Sequence, residues 1–287
     1  HRDLHSFPTR RSSDLICQAL ANAAERLGKT AQVHFKIDTG MSRYGARWDR
    51  ALAVYEACRR FPHLQWQGVM THFPMSDELD KSFALLQILR MQQLAQTFQA
   101  HGYHIPLWHM CNSGGLLDLP AARMDMVRCG ILLYGIYPSK AVQKPLSLRP
   151  VMTLKTRIVA IRELQRGDTV GYGRRYTAQG PERIAVLPIG YADGYDRKLR
   201  NVGKVLLHGQ VAPIIGGLCM DACFIHISAI PQARIGDAVI LMGRDGDQVI
   251  TPHDIADLIG SVSYEVIARF GKRIPRVYIR NGQVCTP

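Results

Sequence analysis

No apolar run in the sequence approaches the roughly 18 residues that a membrane-spanning helix needs, which excludes a helical transmembrane protein. The first stretch, HRDLHSFPTRRSSDL, lacks an apolar centre and does not read as a secretory signal. There is no CxxC, and the lone Cys219-x3-Cys223 pair has no second half, so no metal site is expected. The seven cysteines are odd in number and irregularly spaced, which fits reduced thiols in a reducing, cytoplasmic setting. GxGxxG, a nucleophile elbow, a Ser-His-Asp order and HExxH are all missing, which argues against the commonest dinucleotide, hydrolase and metalloprotease sites. Acidic side chains are in short supply: 23 Asp and Glu stand against 36 Lys and Arg, a net charge of +13. The basic residues are nevertheless scattered, with pairs such as Arg59–Arg60 and Arg174–Arg175 as the tightest groups and no aromatic-basic ribbon. A nucleic-acid partner is therefore not expected, nor is a membrane partner; a small anionic ligand remains open.

What is present is ordinary globular composition, 47% hydrophobic and 21% charged over 287 residues. Residues 1–15 show neither helical nor strand periodicity and stand apart as a foreign or disordered leader. From Ile16 an amphipathic helix runs to Gly28, with Ile16, Leu20, Ala23, Ala24 and Leu27 at helical spacing. Short strands are expected at 33–37, 67–73, 105–110 and 124–128. Helices fall between them over 48–61, from Asp77 to about Ala100, and briefly after the NSGG turn. That alternation at roughly 30-residue intervals predicts parallel βα units. Polar residues recur at or after strand ends (Lys36, His72, Asn112 with Ser113, Arg128), the face where (β/α)8 barrels assemble their sites. A barrel is preferred to a doubly wound sheet. Near Pro145–Pro150 the pattern changes to short strand-like runs split by Gly, Pro and Asp, with helices only at HDIADLIG and SYEVIARF. The expected organisation is thus α/β units over 16–145 and an all-β domain over 146–287. A whole barrel takes about 250 residues, so only its C-terminal half is accounted for.

Singly, the polar residues are ambiguous. Lys36 inside the apolar VHFKID needs a partner or a modification if buried, but an edge lysine facing solvent fits as well. Arg43 on a Gly-rich loop could clamp a carboxylate. His72 could act as acid or base or stack on a flat ligand. Arg128, between Val127 and Cys129, calls for an anionic or hydrogen-bond-accepting partner. Ser113 with its two following glycines, and Gly130–Ile131, offer N–H groups suited to a phosphate, though such turns also serve geometry alone. Tyr172 between two glycines could project its ring into a cleft.

Together and in order, HFKIDTGMSRYG, MTHF, HMCNSGG, MVRCGILLYG, VGYGRRYTA, PIGYADGY and GGLCMDAC resemble alanine racemases, from about Ile16 to the C-terminus. The resemblance implies a TIM-like (β/α)8 barrel with a β domain behind it. It implies pyridoxal 5′-phosphate as cofactor, alanine as substrate, and a cytoplasmic, head-to-tail homodimer with shared active sites. D-Alanine production as a peptidoglycan precursor would be a matching role. By the same resemblance, Arg128 is the arginine on the cofactor's pyridine nitrogen and His72 lies beside the ring. Ser113, Gly130 and Ile131 form the phosphate cradle, and Tyr172 is the acid/base. Arg43 binds the substrate carboxylate, Met220 offers a substrate-contacting backbone position, and Lys36 is the lysine that some members carbamylate.

Two departures stand out. Lys272 takes the place where many relatives have a phosphate-contacting tyrosine, and a lysine can still pair with phosphate as a point charge. More seriously, the lysine that holds the cofactor covalently and acts as second base lies in a motif resembling VKANAYGHG, which this sequence lacks. Both this and the short barrel are expected of an N-terminally truncated racemase, inactive alone. A serine or broad-specificity racemase, and a non-catalytic dimerisation or ligand-sensing remnant, are the competing readings.

Overall fold

The computed structural model describes residues 10–285, with side chains from residue 15 onward. Much of the expected leader lies outside this range, but the first helix, α1 (Arg10–Arg26), begins well before Ile16. Its buried face also differs from expectation. Cys17, Ala21 and Ala24 are buried, whereas Ile16, Leu20 and Leu27 are exposed. The change in composition at Ile16 therefore does not mark where the helix starts.

The chain divides into two compact units, residues 1–149 and 150–287. In the first, β1 (Ala31–Asp38), β2 (Ala46–Arg47), α2 (Ala51–Cys58), β3 (Leu64–Met70), α3 (Ser82–Ala100), β4 (Leu107–His109) and α4 (Ser113–Asp118) follow in order. The strands form one parallel sheet in the order β2-β1-β3-β4. Parallel strands joined by helices place all their C-terminal ends at one edge. Phe35, Ile37 and Val69 face the helices and join Tyr55, Met91 and Phe98 in one core. His34 and Lys36 alternate with them and face the other way. The register then aligns Lys36 with Met70 and Met70 with His109 as one cross-strand row.

The expected strand over 124–128 does not form. Met124 takes a φ of 42°, which breaks the extended backbone. The backbone of the segment is held beside β4 through Asp125 N–H to the Trp108 carbonyl and Arg128 N–H to that of Cys111, and the Asp125 carboxylate accepts the Trp108 N–H at 2.8 Å. It still delivers Arg128 to the strand ends.

The second unit holds β5 (Leu154–Arg157), β6 (Ala160–Leu164), β7 (Thr169–Val170), β8 (Tyr176–Thr177), β9 (Glu182–Leu187), β10 (Lys204–Leu207), β11 (Gln210–Ile215), β12 (Cys223–His226), β13 (Ala238–Asp245) and β14 (Gln248–Ile250). Helices α5 (Pro252–Ile259) and α6 (Ser263–Ala268) follow, then the hairpin of β15 (Tyr278–Arg280) and β16 (Gln283–Cys285). The main sheet has eight strands, in the order β14-β13-β10-β11-β12-β9-β6 with β5 on β13. Leu187, Leu206, Ile214, Ile225 and Val239 form its core. Asp193, 2% exposed, pins the chain between β9 and β10 to the C-terminal segment. Its carboxylate accepts Arg273 Nε and Nη2, both at 2.6 Å, and the Gly190 N–H at 3.0 Å. Those bonds hold the carboxyl below its ordinary range.

Replacing Asp193 with Ala leaves the Gly190 N–H unpaired and releases Arg273 to water. We expect a loss of about 2 kcal/mol or more in urea unfolding. A loss below about 0.5 kcal/mol, the level of a neutral surface change, would refute the anchoring role.

Candidate active site

The strand ends of the first unit gather around Arg128. Its Nη1 lies 2.5 Å from His109 Nδ1, and its Nη2 lies 2.7 Å from the Thr71 carbonyl and 3.3 Å from His72 Nδ1. A guanidinium only donates, so both imidazole Nδ1 atoms must be unprotonated acceptors. His109 then carries its proton on Nε2, which lies 2.7 Å from His34 Nδ1. His34 is therefore fixed as the Nε2–H tautomer as well. Gly68 makes room for that ring: opposite His34 in the sheet, it would place a Cβ 2.6 Å from His34 Nδ1.

The electrostatics follow from this arrangement. Burial, then the Arg128 charge, pushes His72 and His109 down to about 4. Lys36 is lowered to about 8 by burial and by the charges of Arg128 and Arg43, against a smaller opposing effect from Asp38. Gln87 on α3 braces the loops around these residues, donating to Thr39 Oγ1 at 2.9 Å and to the His72 carbonyl at 3.2 Å.

Arg43 is exposed on the loop after β1, where Asp38 Oδ1 accepts the Gly40 and Ser42 N–H groups at 2.9 and 3.0 Å. Beside the Arg128 cluster lies a second group. Buried Ser113 opens α4, and its Oγ accepts the N–H of Gly130 at 3.0 Å and of Leu132 at 3.4 Å. With two donors pointing at it, the hydroxyl directs its own proton to an outside acceptor. Gly130 leaves the space open, since a Cβ there would meet only Ser113 Oγ at 3.7 Å. Ile131 follows directly and begins a short 3-10 turn, Ile131–Tyr134.

In the second unit, Tyr172 stands between Gly171 (φ 68°) and Gly173 (φ 73°) with its side chain 75% exposed. Gly171 bridges Gly217, whose carbonyl would lie 2.6 Å from a Cβ at Gly171. The same 216–220 segment presents Met220, 59% exposed, whose carbonyl accepts the Ala192 N–H at 2.9 Å. Seven of the nine candidate residues thus lie in the first unit and two, Tyr172 and Met220, in the second. Sequence reasoning missed His34 and His109. Both carry the signal that flagged Lys36 and His72, a polar side chain on the non-helical face of a parallel strand or at its end.

Family models described as the N-terminal and C-terminal domains of alanine racemase match residues 11–138 and 151–278. The chain is 41% identical to an alanine racemase of Clostridium perfringens over 268 residues, 92% of this chain and 69% of that protein. It is likewise 41% identical to that of Desulfovibrio desulfuricans over 261 residues, 91% and 70% of the two chains. Among solved structures, the alanine racemase of Clostridium difficile matches with a TM-score of 0.89 at 33% identity, over 98% of this chain and 77% of that one. A Bacillus anthracis alanine racemase with bound L-Ala-P gives 0.84 at 32%, over 93% and 70%. A half-barrel of parallel strands followed by a β domain, with an arginine among neutral imidazoles, defines a fold shared with pyridoxal-phosphate enzymes. The chain belongs to the alanine racemase family, whose members depend on that cofactor.

The donor set fits the group. Arg128 offers N–H to neutral ring nitrogens, and the Ser113 hydroxyl lies beside the open space at Gly130, as an aromatic nitrogen and a phosphate require.

The imidazole shifts give a pH test. His109 takes its proton at about 4 when folded against 6.5 in its ordinary state. The unfolded chain therefore binds more protons between those values, and stability falls as pH drops from 6.5 towards 4. Replacing Arg128 with Gln should raise the His109 midpoint by NMR titration but keep it below 6.5, because burial remains. An unmoved midpoint would show that the guanidinium charge does not reach the ring.

Proposed function

We propose that this site serves the interconversion of L- and D-alanine on pyridoxal 5′-phosphate. The observation that carries the reading is Arg128 held among neutral acceptors next to the Ser113 cradle. When bound, the cofactor supplies a conjugated ring that takes up electron density as the alanine Cα gives up its proton. Arg128 would donate to the pyridine nitrogen. Since a guanidinium keeps its proton, Arg128 would leave that nitrogen unprotonated and so limit side reactions such as transamination. His72 would flank the ring, and Ser113 with the N–H groups of Gly130 and Ile131 would hold the phosphate. Arg43 would pair with the substrate carboxylate, and the partner subunit's Met220 would offer its backbone to the substrate.

Tyr172 would hold and move the proton on one face of Cα. Its exposure supports a homodimer in which each subunit's Tyr172 serves the other's site. Seven cysteines, odd in number and irregularly spaced, accord with the cytoplasm, and no helix among the described residues is long and apolar enough to cross a membrane.

Racemisation needs a second base on the opposite face. No lysine of this sequence lies in a motif resembling VKANAYGHG, so we infer that this polypeptide alone does not turn over alanine. The same observation favours, as a second reading, a non-catalytic module that retains ligand recognition. Mixed with the cofactor and borohydride, the chain should yield no stoichiometric pyridoxyl adduct at any one lysine by peptide mass spectrometry and no racemisation by chiral chromatography. A stoichiometric adduct at one lysine, with turnover, would overturn the inference.

Lys36, at about 8, is in part a neutral amine near physiological pH. Its Nζ can attack the carbon of dissolved CO2 and lose a proton to water, forming a carbamate anion beside the Arg43 and Arg128 charges. Under 13C-bicarbonate, a carbamate resonance should grow as pH rises through 8 and vanish in Lys36→Ala. A signal that survives that substitution would assign the modification elsewhere.

A further inference from the structure

The loop between β3 and α3 does more than lead away from His72; it grips α4 at both ends. Lys81 Nζ lies 2.7 Å from Asp118 Oδ2 at the last residue of the helix, with the two side chains 22% and 6% exposed. The other Asp118 oxygen accepts the Gln143 N–H at 3.0 Å, so this carboxylate is used on both sides. The same Lys81 ammonium donates to the Ser76 carbonyl at 2.8 Å. Ser76, with no exposed surface, donates its hydroxyl to Asn112 Oδ1 at 2.7 Å. That oxygen caps the start of α4 by accepting the Gly115 N–H at 3.0 Å. Gly114 permits the contact: a Cβ there would lie 2.8 Å from Ser76 Oγ and 3.0 Å from Asp77 Cβ.

A helix of six residues does not hold itself in place, because so few bonds cannot offset its nucleation cost. Ser113 is its first residue, and its hydroxyl organises the Gly130 and Leu132 N–H groups. Anything that fixes α4 therefore fixes the anion cradle.

We propose that Lys81 is a positioning residue for that cradle, setting phosphate affinity through Asp118 at one end of α4 and Ser76 at the other. It touches no ligand; it acts by holding Ser113 in register with Gly130. The inference rests on the cofactor reading above and deepens it.

The test compares binding of pyridoxal 5′-phosphate and of pyridoxal, which lacks the phosphate, to the full chain by calorimetry. The unmodified chain should favour the phosphorylated compound at least tenfold. In Lys81→Met that preference should fall about tenfold with pyridoxal affinity unchanged. Because this variant leaves Asp118 buried and unpaired, Lys81→Met with Asp118→Asn is measured beside it and should behave alike, with circular dichroism reporting the folded state. If the unmodified chain binds neither compound, or both equally, the cradle reading itself fails. If it discriminates and the folded variants discriminate just as well, only the role of Lys81 is overturned. Equal weakening of both ligands would show that the ion pair merely stabilises the fold, and would overturn it too.

Discussion

A guanidinium that cannot be neutralised sits where three parallel strands end, and most of the first unit is arranged around that fact. Arg128 dictates that its neighbours accept, so His72 and His109 must be neutral at the nitrogens facing it. His109 in turn orients His34, and the pair carries the constraint across two strands. The row of side chains on the non-helical face is thus a chain of assigned protons rather than a collection of polar residues. Such a network costs more if half satisfied than if absent, which explains why Thr71 and Met110 carbonyls also converge on the same guanidinium.

The backbone is shaped to allow this. A register shift between Val33 and His34 brings Gly68 opposite His34, and only a residue without a side chain leaves space for the ring. β1 therefore contributes both to the apolar core shared with α2 and α3 and, through His34 on its other face, to the imidazole relay. The β domain solves a different problem. Its tyrosine is presented outward on a turn whose two glycines adopt positive φ and whose backbone is locked against Gly217. In one unit the side chains are held by one another; in the other, a rigid backbone holds an unsupported side chain.

The alternation of strands and helices, the change of character near residue 150 and the clustering of polar residues at strand ends were legible because each depends on periodicity. Residues 124–128 were not. They look like a strand in composition, but Met124 in the left-handed region prevents a ladder, and dihedral angles leave no trace in a hydrophobic pattern. Likewise the face of α1 differs from the pattern, since the expected Ala24 is buried but Cys17 and Ala21 join it in place of Ile16, Leu20 and Leu27. His34 and His109 escaped notice for a third reason. A histidine whose importance lies in which nitrogen bears the proton is recognisable only once its partners are known. The ordered motifs could point to the family, but not to the relay that makes Arg128 effective.

The net charge of +13 finds its local meaning here. Along the sequence the basic residues are dispersed, with pairs as their tightest groups. At the strand ends, however, the Arg128 and Arg43 charges both act on Lys36, against a smaller opposing effect from Asp38. Asp38 is itself occupied in folding the loop through the Gly40 and Ser42 N–H groups. The site is therefore short of negative charge by construction, and lowering the Lys36 pKa relieves only part of that repulsion. A phosphate at Ser113, a carboxylate at Arg43 and a carbamate on Lys36 would each supply an anion beside charges that Asp38 only partly offsets. Binding, substrate recognition and modification would then satisfy the same electrostatic deficit, so losing any one of them should be felt by the other two.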